Sequence, residues 1–213
     1  MSFDETLVKH SFVETSVFEV IFPKIRFNYI KSIQNFIEKV LKEKKIGFEV
    51  NFDTCTMKVF TTSATRDPYI IIKANELIQL LSKGMSFEEC VDVLNDGVFS
   101  EIIHTNVLTK NYDAFENRKN RLKNPKVLKA LEILTKTKVF VGQKTCCVVG
   151  DHDGIDVVRS LIIKCFKNNL HPAYEIKSLL IKNNLRNKGV EGDWDRFLPK
   201  IKKGKDLSQK IKK

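Results

Sequence analysis

A run of positive charge at residues 117–130, written N-R-K-N-R-L-K-N-P-K-V-L-K-A, is the strongest candidate for chemistry in this chain of 213 residues. The run carries six Lys or Arg residues and no acid. Its basic residues are Arg118, Lys119, Arg121, Lys123, Lys126 and Lys129. Because guanidinium and ammonium groups bind phosphate oxygens, the run predicts a polyanionic partner. A solvated helix face is the alternative, although such faces usually mix both signs of charge.

The second half of this run is predicted to begin a helix. Asn124 and Pro125 are typical of a loop that opens a helix, and Val127, Leu131 and Leu134 follow at helical spacing. The N-terminus of a helix presents unpaired N–H groups and the positive end of a dipole, both of which favour phosphate. The basic residues before and just inside this helix would add to the same field. The sequence therefore predicts a basic loop that feeds a helix and binds phosphate.

Two other groups have the residue types of a metal or acid-base site. Asp151, His152 and Asp153 are adjacent, but a turn followed by a helix capped by Asp153 explains them better, since adjacent side chains seldom converge on one atom. Cys146 and Cys147 lie in a predicted strand, where neighbouring side chains point to opposite faces. They are therefore not expected to share a metal ion, and one of them is predicted to lie in the core.

No catalytic residue, metal site or cofactor is predicted elsewhere. His10, His104 and His171 have no partner pattern, and the chain has no Walker loop and no paired-carboxylate motif. The five Cys residues include no C-x-x-C spacing, which argues against a zinc module. An odd number of Cys residues and a start without a signal pattern predict a reducing compartment.

The charge is divided unevenly along the chain. Residues 1–100 hold 12 Lys or Arg against 14 Asp or Glu, a net charge of −2, whereas residues 101–213 hold 25 against 12, a net charge of +13. The second half is therefore predicted to contact nucleic acid. A membrane partner is not predicted, because no run approaches the roughly 20 apolar residues of a spanning helix.

The hydrophobic pattern predicts the same order of elements twice, and so an α+β fold of two units, each a small antiparallel sheet backed by helices. In the first unit, Asp67 is predicted to cap a helix that Gly84 ends, and Ser86 with Glu89 forms a capping box for a short helix. Gly47 is predicted to interrupt the preceding helix. The remaining predicted elements are strands at 12–22, 46–52, 57–61, 101–108, 139–141 and 147–149, and helices at 30–41, 125–135, 153–166 and 171–185.

Five stretches resemble the family of KRR-R motif-containing KH proteins of the small-subunit processome. They are D-P-Y-I-I-I-K-A (67–74), F-E-x-R-K-x-R-L (115–122), L-K-A-L-E-I-L-T (128–135), H-P-A-Y-E-I-K-S-L-L-I-K (171–182) and W-D-R-F-L-P (194–199). The resemblance covers nearly the whole chain. It implies two tandem KH domains and a non-enzymatic assembly factor that binds small-subunit pre-rRNA in the nucleolus and supports 18S rRNA maturation.

The resemblance also implies a division of labour. Residues 1–100 would form a degenerate first KH domain that docks proteins, and residues 101–170 a second KH domain that binds RNA. Residues 171–199 would form a helical extension that also docks proteins. Residues 200–213, with seven Lys and one Asp, would be a disordered tail. No small-molecule substrate is expected.

The loop at Asn124 departs from the family pattern. Relatives resemble G-P-K-G-x-T at this point, whereas this chain has Asn124, Pro125, Lys126 and Val127, without either Gly. Glycine lets the backbone approach phosphate closely and adopt positive φ, and Val127 does not. Phosphate contact is therefore expected on basic side chains rather than on the N–H groups of the loop. The side chains expected to make it are Arg118, Lys119, Arg121, Lys126 and Lys129.

Several alternatives stay open from sequence alone. Without the G-x-x-G loop, a protein-interaction scaffold inside the pre-ribosome is the alternative for the second unit, although the basic residues around the loop favour RNA binding. A ribonuclease would need a metal-binding motif that the sequence lacks. The stretch with His171, Pro172, Tyr174 and Lys177 is interpreted as structural, with Tyr174 packed across a turn, in preference to RNA contact. Trp194 and Phe197 are either core residues or anchors for another protein.

Overall fold

The computed structural model describes residue 12, residues 14–190 and residues 193–199. The predicted tail at 200–213 lies outside this range. The first unit contains β1 (Val17–Ile21), α1 (Phe27–Glu43), β2 (Ile46–Asn51), β3 (Thr56–Thr61), α2 (Ile70–Lys83) and α3 (Phe87–Cys90). The second contains β4 (Phe99–His104), α4 (Tyr112–Leu122), α5 (Pro125–Thr135), β5 (Lys138–Val141), β6 (Thr145–Gly150), α6 (His152–Lys167) and α7 (Pro172–Asn187). Short 3-10 turns lie at Lys24–Arg26, Val91–Leu94, Thr105–Leu108 and Asp195–Phe197.

The two sheets share one topology. The strand order is β1-β3-β2 in the first unit and β4-β6-β5 in the second, and every pairing is antiparallel. In the second sheet, Cys146 of the central strand pairs with Ile103 on one side and Val141 on the other. The predicted α+β fold of two similar units is confirmed.

Helix α1 forms because its apolar residues recur on one face. Ile30, Ile37 and Leu41 are completely buried against the first sheet. The helix ends at Glu43, and Gly47 lies inside β2, so the prediction that Gly47 interrupts the helix is wrong. Gly47 has a packing role instead, because a Cβ atom there would lie 2.3 Å from the ring of Phe60.

The helix boundaries show which local signals are reliable. The predicted stop at Gly84 is confirmed, with φ at 113°, and so is the capping box of α3. Asp67 is not the cap of α2, which begins later, and its carboxylate instead accepts a hydrogen bond from the Tyr69 N–H at 2.8 Å. The cap of α6 is Asp151, whose Oδ1 accepts from the His152 N–H at 2.8 Å, so the prediction of Asp153 is wrong.

Helix α4 is the element that the sequence did not predict. The basic stretch was expected to begin in a loop, but residues 112–122 are helical. Asn111 caps this helix, since its Oδ1 accepts from the N–H groups of Asp113 at 2.9 Å and Ala114 at 3.3 Å. Phe115 and Leu122 are its buried residues, and the Phe115 ring lies 5.5 Å from that of Phe166 in α6.

The two units pack into one body through α2 and β6. Helix α2 is buried on several sides, because it packs on the first sheet and also against β6. Along β6, Cys146 and Val148 belong to the core of the second unit, whereas Cys147 and Val149 belong to the core around α2. Both Cys146 and Cys147 are therefore core residues, one in each core, where the sequence predicted only one.

Helix α7 packs on α5 and α6. His171 caps it, since Nδ1 accepts from the Ala173 N–H at 3.2 Å, and Pro172 is buried at its first turn. Tyr174, which was predicted to pack across the turn, is 45% exposed. Beyond the helix, Trp194 Nε1 donates to the Val190 carbonyl oxygen at 3.0 Å, while Phe197 is 44% exposed. Within the described ranges, no helix is both long and apolar enough to cross a membrane.

Candidate nucleic-acid interface

The basic stretch folds into a sharp bend between two helices, here called the α4–α5 corner. Lys123 ends α4 and Asn124 caps α5, so only these two residues separate the helices. Leu122 on one side and Leu131 on the other are completely buried, which holds both helices against the second core. The corner thus projects charged side chains from a rigid base.

The first N–H groups of α5 are all occupied. Pro125 has none to offer. The Lys126 N–H donates to Asn124 Oδ1 at 3.0 Å. The N–H groups of Val127 and Leu128 donate to the Asn124 carbonyl oxygen at 2.9 and 3.0 Å. The helix start still presents the positive end of its dipole, but it has no free backbone donor for a phosphate.

Three of the six predicted basic residues are held by other groups. Arg118 donates from Nη1 to Thr109 Oγ1 at 3.2 Å and to the carbonyl oxygen of Phe166. Lys119 forms an ion pair with Glu116 at 2.6 Å, and only 14% of its side chain is exposed. Arg121 donates from Nη1 to Asn169 Oδ1 at 3.1 Å on the surface. Arg118 in particular fastens α4 to the end of α6.

The other three, Lys123, Lys126 and Lys129, are exposed. No ion pair or hydrogen bond occupies their ammonium groups within the described part of the chain. Lys126 and Lys129 are three residues apart in α5 and so lie on the same helix face, next to the bend that carries Lys123. The structure therefore brings together three free cations at the corner.

One acidic residue, which the sequence analysis did not single out, lies beside this face. Glu132 of α5 accepts a hydrogen bond at 3.3 Å from the N–H of Val139, on the outer edge of β5. A free N–H on a strand edge is a natural donor to a bound polar group. Because Glu132 occupies this donor, the edge of β5 is not available at that position.

A cleft of about 750 Å³ opens between the two units, and it is called the interdomain cleft below. Lys119, Lys123 and Lys144 line it from the second unit and Lys83 from the first. Arg26 and several apolar residues of the first unit and of β5 also line it, the apolar ones being Ile21, Phe22, Pro23, Ile25, Phe140 and Val141. Sequence reasoning missed Lys83 and Lys144, because they are distant in sequence and neither belongs to a motif. The only local signal for a binding residue was that Lys144 lies in the predicted turn between two strands.

Three buried thiols and one arginine of the second unit have raised pKa values. Burial raises the pKa of Cys146, Cys147 and Cys165 to about 12, so these thiols are protonated at neutral pH. The pKa of Arg159 is raised because Glu101 accepts a hydrogen bond from its Nε. Over the residues that the structure covers, no group of three or more His, Cys, Asp or Glu is placed to hold a metal ion.

The first unit has no counterpart of the corner. Where the second unit has two helices joined at Lys123 and Asn124, the first has the single helix α1 of 17 residues. At the start of this helix, the Arg26 guanidinium lies 4.1 Å from the centre of the Tyr29 ring and donates to the Met85 carbonyl oxygen at 2.7 Å. The strand order of each unit and the helix pair at the corner fit the KH fold expected from the sequence motifs, and the first unit has no such helix pair.

Two family models match consecutive stretches of the chain. The one described as the Krr1 KH1 domain matches residues 16–96. The one described as the KRR1 small subunit processome component, second KH domain, matches residues 98–187. The chain belongs to this family. The resemblance expected from its sequence motifs is confirmed, and the protein is a KH-domain member of a ribosome-biogenesis family.

Solved structures share the fold. A chain in the a/eIF2alpha-aDim2p-rRNA complex from Pyrococcus horikoshii OT3 is 21% identical, with a TM-score of 0.69, over 84% of this chain and 97% of that one. Dim2p from the same organism is 22% identical, with a TM-score of 0.67, over 78% and 98%. A protein of unknown function from Aeropyrum pernix is 15% identical, with a TM-score of 0.69, over 83% and 98%. At these identities the likeness shows the fold alone.

Proposed function

We propose that this protein is a non-enzymatic assembly factor of the small ribosomal subunit that binds pre-rRNA through its second KH domain. The contact surface is the α4–α5 corner, where Lys123, Lys126 and Lys129 bind phosphates of the RNA backbone. Arg121 contributes from the edge of this surface. Arg118 and Lys119 act differently, since Arg118 holds α4 in place and Lys119 is paired with Glu116.

The observation that carries this proposal is the set of three free cations at the corner. Phosphate contacts supply most of the affinity of proteins that bind nucleic acid without reading sequence. Because the first N–H groups of α5 are occupied, phosphates are expected to contact side chains rather than the backbone. Because Glu132 occupies the Val139 N–H at the edge of β5, that N–H is not available to recognise a base. Binding is therefore expected to depend strongly on salt and weakly on RNA sequence.

Family membership supports the rest of the proposal. The model that matches the second domain is named for a component of the small-subunit processome. From this name we infer that the protein acts on pre-rRNA in the nucleolus and supports 18S rRNA maturation and assembly of the 40S subunit. One solved structure of the same fold comes from a complex that contains rRNA. The first KH domain, which has no corner, and the extension at 171–199 would dock other processome proteins.

The proposal is tested by measuring how the affinity for single-stranded small-subunit pre-rRNA fragments depends on salt. The full chain is compared with a Lys123→Ala, Lys126→Ala, Lys129→Ala variant. At about 0.7 per phosphate contact for a single strand, the slope of log affinity against log salt should shrink by roughly two. Because the three lysines are exposed, the variant should keep its fold, and circular dichroism verifies that it does.

A matched control removes the same charge elsewhere. Lys31, Lys39 and Lys42 are exposed on α1 of the first domain, and none of them lines the interdomain cleft. Their triple change to Ala should leave the salt slope within error of the unaltered chain. If both triple variants bind RNA equally well, the corner is not an RNA site, and the alternative of a protein-interaction scaffold replaces the proposal.

A further inference from the structure

We infer that a single RNA strand continues from the α4–α5 corner into the interdomain cleft, so that the first KH domain forms one wall of the RNA site. This inference rests on the proposed function, which it extends to a second set of residues. It assigns an RNA contact to a domain that has no corner of its own.

The charge of the cleft matches an RNA backbone. Lys83, Lys123 and Lys144 are its free cations, and no Asp or Glu is among the residues that line it. Lys119 and Arg26 also line it, but Lys119 is paired with Glu116 of the neighbouring cavity and Arg26 donates to the Met85 carbonyl oxygen. Lys83 and Lys144 are exposed, and their ammonium groups have no partner within the described ranges. The first lies at the end of α2 and the second in the β5–β6 turn, so the two cations face the cleft from different domains.

The cleft is continuous with the proposed RNA surface. Lys123 belongs both to the corner and to the lining of the cleft. A second cavity of about 460 Å³ shares Lys119 and Lys144 with the cleft and leads to the start of α4. The two cavities and the corner therefore form one path along α4, lined by lysines at both ends.

The walls of this path suit unpaired bases. Ile21 and Ile25 of the first domain are 73% and 88% exposed, an unusual degree for isoleucine beside a cleft. Tyr112, which lines the second cavity, is 74% exposed, and Lys110 lies beside it. Exposed aromatic and apolar side chains interleaved with lysines are typical of single-strand binding grooves, where bases stack and the backbone follows the cations.

The wall is held in place before RNA arrives. A Cβ atom on Gly84 would lie 3.1 Å from the Phe140 ring, which shows how closely the first domain approaches β5. Nearby, Lys138 forms an ion pair with Asp92 at 2.6 Å across the same boundary. A site that is already formed loses less entropy on binding. An acidic peptide would also suit the charge, but it would not need the continuity with the corner or the exposed Tyr112.

The test uses the full chain and an oligouridylate of about 12 nucleotides. Lys83→Ala with Lys144→Ala should weaken binding roughly tenfold and lower the salt slope by about 1.4, the value for two phosphate contacts. Ile25→Asp places an anion on the apolar wall and should weaken binding as well. Because Ile25 is 88% exposed, the change should leave the fold intact, and circular dichroism verifies that it does.

Two matched controls keep the test specific. Lys39→Ala with Lys42→Ala removes two charges from α1, and Phe36→Asp adds an anion at a side chain of α1 that is 62% exposed. None of these three residues lines the cleft. Both control variants should bind the oligouridylate like the unaltered chain.

Failure of the inference and failure of the proposed function give different results. If the cleft variants bind normally while the Lys123, Lys126 and Lys129 variant is weakened, RNA stays at the corner and the inference is wrong. If the unaltered chain binds neither the oligouridylate nor pre-rRNA fragments, both proposals are wrong. If polyglutamate binds as tightly as the oligouridylate, and loses affinity in the Lys83 and Lys144 variant, the cleft is an acidic-peptide site and the inference is overturned.

Discussion

The Asn124 side-chain oxygen accepts a hydrogen bond from the backbone N–H of Lys126 at 3.0 Å, and this bond decides how the α4–α5 corner can hold a phosphate. In a glycine-rich loop the corresponding N–H groups can face the ligand. Here the Lys126 N–H already donates to the Asn124 side chain, so phosphate contact depends on the basic side chains of the corner. The corner therefore joins two helices as a KH loop does, but it offers lysine side chains to a phosphate in place of free backbone N–H groups.

Replacing Asn124 with Gly should release that donor. A glycine cap costs only a few tenths of a kcal/mol relative to Asn, whereas Asn124→Ala should lower the free energy of unfolding by about 1 kcal/mol. Because the Lys126 N–H becomes available to a phosphate, Asn124→Gly should tighten RNA binding by roughly two- to fivefold. Urea denaturation and RNA titration measure the two effects separately. Weaker RNA binding by the glycine variant would contradict this account of the corner.

Arg118 should prove to be a stability residue rather than an RNA contact. Its guanidinium donates to the Phe166 carbonyl oxygen and to Thr109 Oγ1, and hydrogen bonds from charged groups are worth about 1.5–3 kcal/mol. Arg118→Ala should lower the free energy of unfolding by about that amount, and Arg118→Lys by less, while the salt slope of RNA binding stays unchanged. A slope that falls as it does for Lys126 would show that Arg118 touches RNA.

Local signals in the sequence predicted much of this fold. The apolar face of α1, the stop at Gly84 and the capping box of α3 each follow from residues close together in sequence, and each is present. The basic run was also visible in the sequence, and three of its six basic residues, Lys123, Lys126 and Lys129, are the free cations of the corner. The five stretches that resemble the family then identified the two α+β units as KH domains.

What the sequence could not predict depends on contacts between distant residues. Helix α4 is mostly polar and is held by Phe115 and Leu122, too few apolar residues to produce a clear periodicity. Nothing local distinguishes Cys147 from Cys146, because the second face of β6 is buried by packing against the first unit, chiefly α2 and the turn at Val91–Leu94. Lys83 and Lys144 meet at the cleft for the same reason, and the hydrogen bonds that occupy Arg118 are equally invisible in the sequence.

The buried Lys73 should stabilise the turn that connects the two domains. Its Nζ donates to the Asn95 carbonyl oxygen and lies 3.6 Å from Asp96, in the turn that leads to the second domain. Lys73→Met keeps the apolar stem but leaves that carbonyl unsatisfied, and should cost about 1–3 kcal/mol of unfolding free energy. Lys83→Met, an exposed change in the same helix, should stay within about 0.5 kcal/mol. Equal effects in urea denaturation would contradict this role.

The buried thiols should make the protein sensitive to alkali. Burial raises the pKa of Cys165 from 9.0 to about 12 in the folded state, so this thiol stabilises the fold below pH 9 and the contribution is lost as pH rises towards 12. Between about pH 8 and 10, this loss amounts to about 1.4 kcal/mol. Cys165→Ala should therefore show a smaller fall in unfolding free energy over that interval than the unaltered chain. An identical fall in both proteins would mean that the thiol titrates normally.

The most direct test of the central claim is to map where RNA touches the protein. The full chain is crosslinked to a small-subunit pre-rRNA fragment that carries thiouridine, and the crosslinked peptides are identified by mass spectrometry. We predict crosslinks in residues 119–130, the end of α4 and the start of α5, and none on the outer face of α1. Crosslinks confined to the first sheet, to α1 or to α7 would contradict the assignment of the α4–α5 corner as the RNA-binding surface.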